Sequence, residues 1–189
     1  MFLPHFQAYL RTFFPQLPAA HWIAIGVLSV TVTVFLARRR KYPVYGAVAL
    51  GFTLLLGLFL LDALALVRCG NAPQVAHAGL NLSAEYRRLV AWEEDTLYLV
   101  LFNAAVFAPF GFTLAEFLAS AKRLTGWRCL EYVVLIALGL SLCIECFQLV
   151  LRAGIFELTD LVLNTAGAAL GAALPLTCRA ISRGTRPAA

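Results

Sequence analysis

Residues 141–171 read SLCIECFQLVLRAGIFELTDLVLNTAGAALG. Within this apolar run stand Ser141, Glu145, Gln148 and Arg152, then Asp160, Asn164, Gly167 and Gly171. Both sets share the offsets four, three, four. At about 100° per residue, each set falls within roughly 60° of a helix circumference. The stretch therefore reads as two membrane helices joined by a short turn, each with one narrow stripe of polar or small residues. Polar groups in hydrocarbon are costly and mark a functional site by default.

The rest of the chain agrees with a membrane setting. It has 189 residues, 61% of them apolar and 13% charged. Soluble domains are nearer half apolar and a quarter charged. The net charge of +5 comes from short basic clusters beside apolar runs. That pattern sets membrane orientation and does not describe a nucleic-acid surface. Five cysteines are spread through or beside the apolar segments, and no disulfide framework follows from them.

Hydropathy predicts an all-α, polytopic membrane helix bundle with about five transmembrane helices and an N-terminal interfacial segment. Residues 1–18 carry Pro4, Pro15 and Pro18, are too interrupted to span, and read as interfacial. The membrane domain covers 19–178, with spans at about 19–37, 42–67, 96–119, 130–151 and 159–178, each near the ~20 residues a crossing needs. A basic tail, 179–189, follows. His5 and His21 read as solvated at the interface. Asp62 lies near the outer end of the second span, either at the interface or facing the polar hairpin. Glu116 lies near the inner end of the third.

Orientation follows from Lys and Arg. Arg38–Lys41, Lys122, Arg123, Arg128, Arg179, Arg183 and Arg186 fall on one side, ten against five on the other. The positive-inside rule places the N-terminus outside and the C-terminus in the cytoplasm.

A tight hairpin between the last two spans implies a register. Arg152 would be level with Asp160, Gln148 would face Asn164, Glu145 would face Gly167, and Ser141 would face Gly171. Gly167 would leave room for the Glu145 carboxylate. Asn103 on the third span falls at a similar depth, so the polar groups converge on an outward-facing pocket. No comparable group marks the inner half. Pro109 should kink the third span, and Gly167 with Gly171 forms a GxxxG packing face. Cys143 and Cys146 sit roughly 140–200° around the helix from Ser141 and read as packing residues rather than a metal or redox site. No P-loop, HExxH, GxSxG or Gly-rich dinucleotide motif occurs, and no cofactor is implied.

These residues carry a resemblance to the VanZ-like family of small bacterial membrane proteins. The matching features are Asn103-Ala-Ala-Val-Phe-Ala-Pro109-Phe-Gly111, then Ser141, Glu145, Gln148, Arg152, Asp160, Asn164, Gly167 and Gly171. The resemblance implies a multi-pass protein of the bacterial plasma membrane. Its founding member is associated with resistance to the glycopeptide teicoplanin.

Three classes of function follow. One is a non-enzymatic envelope protein that binds an anionic or lipid-linked ligand, a lipid-linked precursor or a glycopeptide, through Arg152, Glu145, Gln148 and Asn164. The second is an intramembrane enzyme with Glu145 as acid or base. The third is a structural or assembly partner. Interhelical hydrogen bonds alone account for Gln148, Asn164 and Ser141. They account less well for Glu145, since a buried carboxylate needs a partner, a proton or a ligand.

Overall fold

The computed structural model describes residues 19–39, 41–66, 78–79, 94–151 and 156–184. The expected interfacial segment, Arg152 and the end of the basic tail lie outside the described residues. Five helices follow in order: α1 (Ala19–Arg38), α2 (Val44–Leu61), α3 (Glu94–Ala121), α4 (Gly126–Val150) and α5 (Leu158–Gly184). All five are long and apolar enough to cross a membrane, so the chain is a multi-pass membrane helix bundle.

Each boundary has a local cause. Pro43 has no backbone N–H to give and precedes the first turn of α2. A π-helical turn, Asp62–Leu66, continues α2. Such turns alter the backbone bonding pattern and occur often at functional sites. α3 runs through Pro109 as one helix, and Pro109 itself is exposed. The turn into α4 holds Arg123 at φ 56° and Gly126 at φ 57°. α5 includes Pro175 and continues past Cys178, so Arg179 is a helix residue.

Two short extended pieces accompany the helices. β1 (Ala78–Gly79) pairs in parallel with β2 (Phe156–Glu157), Ala78 opposite Phe156 and Gly79 opposite Glu157. The first comes from the long loop and the second immediately precedes α5. The hydropathy pattern signals neither.

The most extensive helix contact is α3 on α5. In a membrane, apolar side chains gain little by leaving lipid, so close van der Waals fit and polar bonds must hold helices together. Small residues supply the fit. A Cβ on Gly167 would lie 2.2 Å from the Ala104 carbonyl oxygen, on Gly171 1.9 Å from that of Ala108, and on Gly111 1.9 Å from that of Ala168. Backbone thus lies on backbone along about two turns of α3 and one of α5. α2 packs on α3 at Gly46, where a Cβ would meet Ala121 at 3.0 Å, and at Gly57, where it would meet Phe110 at 3.1 Å. Phe107, Val133, Ala137, Ile144, Ala168 and Ala172 fill the centre. α1 is peripheral and rests mainly on α2. Gly51 admits Thr33 there, and Trp22 stacks on Phe59 with ring centroids 4.4 Å apart.

Candidate functional site

Four helices and β2 bring the buried polar residues at one end of the bundle together. On α4, Ser141, Glu145 and Gln148 are all buried, while Cys143 and Cys146 are exposed on the other side. The α4 stripe faces inward as its spacing requires. On α5, Asn164 is buried and Asp160 is half-buried; on α3, Asn103 is buried. Ser141 to Gln148 covers about 10 Å of helix at 1.5 Å per residue.

The hydrogen bonds give a register different from the one a tight hairpin predicts. Asn164 Nδ2 donates to Ser141 Oγ at 3.0 Å. The backbone N–H of Glu157 donates to Glu145 Oε2 at 3.0 Å. Gln148 Nε2 donates to the Leu64 carbonyl, in the π-turn, at 2.7 Å. Asn103 Nδ2 donates to Asp160 Oδ1 at 2.6 Å. So Ser141 meets Asn164 rather than Gly171, and Gln148 meets α2 rather than Asn164. Glu145 meets the chain just before α5 rather than Gly167, which packs against Ala104.

The cause is β2. Glu157 is already level with Glu145, five residues below the end of α4. β2 therefore already lies beside α4, level with Glu145, before α5 starts. Relative to a tight hairpin, α5 is displaced along α4 by about seven residues, or ~10 Å. The stripe residues remain on one polar layer, but their partners change.

Two amide ends in this layer stand out. Gln148 is 2% exposed and Asn164 3%. Among the described residues, Gln148 Oε1 and Asn164 Oδ1 are buried without a hydrogen-bond partner. The Gln148 orientation follows from chemistry, because the Leu64 carbonyl can only accept and must take the NH₂ end. Asn164 faces a hydroxyl, which can give or accept, so one end of its amide is unpaired in either orientation. An unpaired buried polar group costs about 1–3 kcal/mol and is rare.

Asp62 is buried but does not bond the α4–α5 stripe. His21 Nδ1 lies 2.8 Å from its Oδ1 and 3.0 Å from its Oδ2. His21 is thus a helix tie between α1 and the π-turn as well as partly solvated.

The other half of the bundle, expected to be empty of such groups, holds a cluster. Glu116 of α3 is buried. Tyr45 of α2 donates its hydroxyl to Glu116 Oε2 at 2.5 Å. Arg179 of α5 donates Nη2 to the same oxygen at 2.6 Å and Nε to Oε1 at 3.4 Å. Three helices thus meet on one carboxylate. Sequence reasoning missed this because Arg179 reads as one more basic residue after the last span. The available signal was a lone Glu116 in an apolar helix, which needs a cation within reach.

A family model, VanZ/LLP1, matches residues 1–179. The chain belongs to the VanZ/LLP1 family. The match extends the Asn103–Gly171 resemblance over nearly the whole chain, including α1 and α2. For a VanZ/LLP1 protein this settles a membrane-embedded helical chain, and the residues of the buried layer must be judged on their own geometry. No curated protein and no solved structure matches the chain. Among the described residues no group of three or more His, Cys, Asp or Glu side chains is placed to hold a metal.

Proposed function

We propose that this VanZ/LLP1 protein is a non-catalytic component of the bacterial cell envelope. The polar layer of Asn103, Ser141, Glu145, Gln148, Asp160 and Asn164 receives the polar part of an envelope-linked ligand from the outer leaflet. The observation that carries this reading is the pair of buried, unpartnered amide ends on Gln148 and Asn164. Purely structural amides in a membrane bundle would be bonded at both ends, and their cost offsets the modest ~0.6 kcal/mol a typical interhelical hydrogen bond contributes. A ligand group that pairs with them removes that cost. Arg152, which follows Leu151 in the sequence, would add a planar fork suited to a carboxylate or phosphate.

The ligand class we favour is a lipid-linked wall precursor or a glycopeptide such as teicoplanin, with a contribution to glycopeptide resistance as the cellular outcome. The basic bias of the inner loops supports an N-terminus outside and a C-terminus in the cytoplasm. The experiment is a binding titration of the detergent-solubilised chain with teicoplanin and with a lipid-linked wall precursor. We expect Asn164→Leu and Arg152→Ala each to weaken binding at least tenfold. If neither compound binds the unaltered chain, or if both variants bind as it does, the reading fails.

A further inference from the structure

The Tyr45–Glu116–Arg179 cluster lines a second site, at the opposite end of the bundle from the polar layer. It opens into a cleft of about 510 Å³ between α3 and α5. Its far walls are apolar: Phe112, Leu174 and Pro175. Phe112 is 38% exposed and Leu174 63%, so the cleft opens sideways, toward lipid, rather than into the bundle.

The depth fits an amphiphile. α3 has 28 residues, which is about 42 Å of helix. That matches a whole bilayer including its headgroups, about 40–45 Å. Glu116 lies five residues before the end of α3, roughly 7 Å in along the axis. This is the boundary between headgroups and hydrocarbon. The polar end of the cleft therefore sits where a phospholipid carries its phosphate, and the apolar walls lie where its chains begin.

The charge fits an anion. Glu116 takes Nε and Nη2 of Arg179, which fixes the guanidinium plane. Nη1 keeps two donors, with no partner among the described residues. At this end of the bundle lie Arg38 closing α1, Arg39 and Lys41 after it, Lys122 and Arg123 after α3, and Arg128 in the first turn of α4. The acids among the described residues there are Glu116, already taken by Arg179, and Glu131. Pockets between membrane helices with such a basic rim suit anionic headgroups.

We propose that this cleft is a binding site for an anionic phospholipid. Its phosphate is held by Arg179, and an acyl chain lies along Phe112 and Leu174. Glu116 and Tyr45 act as positioning residues: they hold the guanidinium edge-on to the cleft.

The test is native mass spectrometry of the detergent-solubilised full chain, titrated with dioleoyl phosphatidylglycerol and dioleoyl phosphatidylcholine. The expected result is at least tenfold tighter binding of phosphatidylglycerol. Cys178 lines the cleft and is exposed, so Cys178→Trp fills its mouth without touching the Glu116–Arg179 pair. It should lower phosphatidylglycerol binding at least fivefold. Arg179→Lys keeps the charge but not the fork, should do the same, and decides the matter if Cys178→Trp does not fold. Arg128→Ala, an equal charge on another helix, should change binding less than twofold. Equal affinity for the two lipids, or equal loss in Arg128→Ala and the cleft variants, would overturn the proposal. Glycerol 3-phosphate competing as well as the lipid would also overturn it, in favour of a soluble phosphate.

Discussion

Gly171→Ala is the sharpest test of how the bundle is held. The added Cβ would lie 1.9 Å from the Ala108 carbonyl oxygen and 2.8 Å from Ala108 Cα. Ordinary contact begins at 3.4 Å, so α5 must back away from α3 by about 1.5 Å along that direction. The neighbour is backbone, and no rotamer change relieves it. Overpacking of this kind costs about 1–3 kcal/mol, and the upper end applies here. The same separation stretches the Asn103–Asp160 bond, now 2.6 Å, past hydrogen-bond range, at about 0.6 kcal/mol more. Against this, alanine is better than glycine in a helix by about 1 kcal/mol. The net loss is about 2–3 kcal/mol, or roughly 5–10 °C in Tm for a chain of this size. Gly139→Ala is the control: nothing lies within 4 Å of its Cβ position, and it should gain about 2–4 °C from helix propensity alone. The assay is thermal unfolding of the purified protein in detergent, followed by tryptophan fluorescence. Equal Tm values for Gly171→Ala and Gly139→Ala would refute the close α3–α5 seam.

Other consequences are as direct. Ser141→Cys with Asn164→Cys should crosslink under mild oxidation in a background free of other cysteines, whereas Ser141→Cys with Gly171→Cys should not; the reverse would restore the tight-hairpin register. Glu145→Gln retains an acceptor for the Glu157 N–H and should lose little stability, while Glu145→Leu should lose about 1.5–3 kcal/mol, the worth of a bond to a charged group, read as Tm. Arg179→Ala leaves Glu116 buried without its cation and should cost about 3–5 kcal/mol, and Glu116→Leu in the same chain should recover most of it. If the double variant is no more stable than Arg179→Ala, the Glu116–Arg179 pair is not the tie between α3 and α5.

The sequence made the helices legible because each apolar run is bounded by charges or Pro–Gly turns, and the five observed helices fall close to the five runs. The inward face of α4 was equally legible, since 3.6-residue periodicity alone sends Ser141, Glu145 and Gln148 one way and Cys143 and Cys146 the other. The pairing of α4 with α5 was not. It depends on where β2 sits beside α4, and a two-residue strand held by a partner 78 residues upstream leaves no periodic signal. The same holds for Gly167 and Gly171. Their spacing announces close packing without naming the neighbour, which is Ala104 and Ala108 of α3 rather than the Glu145 carboxylate. Glu116 and Arg179 are 63 residues apart, and nothing local in either helix points to the other.

If the polar layer is kept for a ligand, it is kept at some expense to the fold. Asn164→Leu tests this most directly, through the Tm of the purified, ligand-free protein. The substitution removes a buried unpaired amide end, worth about 1–3 kcal/mol, and one interhelical bond, worth about 0.6 kcal/mol. Ser141 can then turn its hydroxyl to its own helix carbonyl. The expected Tm is equal to or above that of the unaltered chain. A fall of several degrees would mean that Asn164 is there to hold the bundle together, and would contradict the ligand reading.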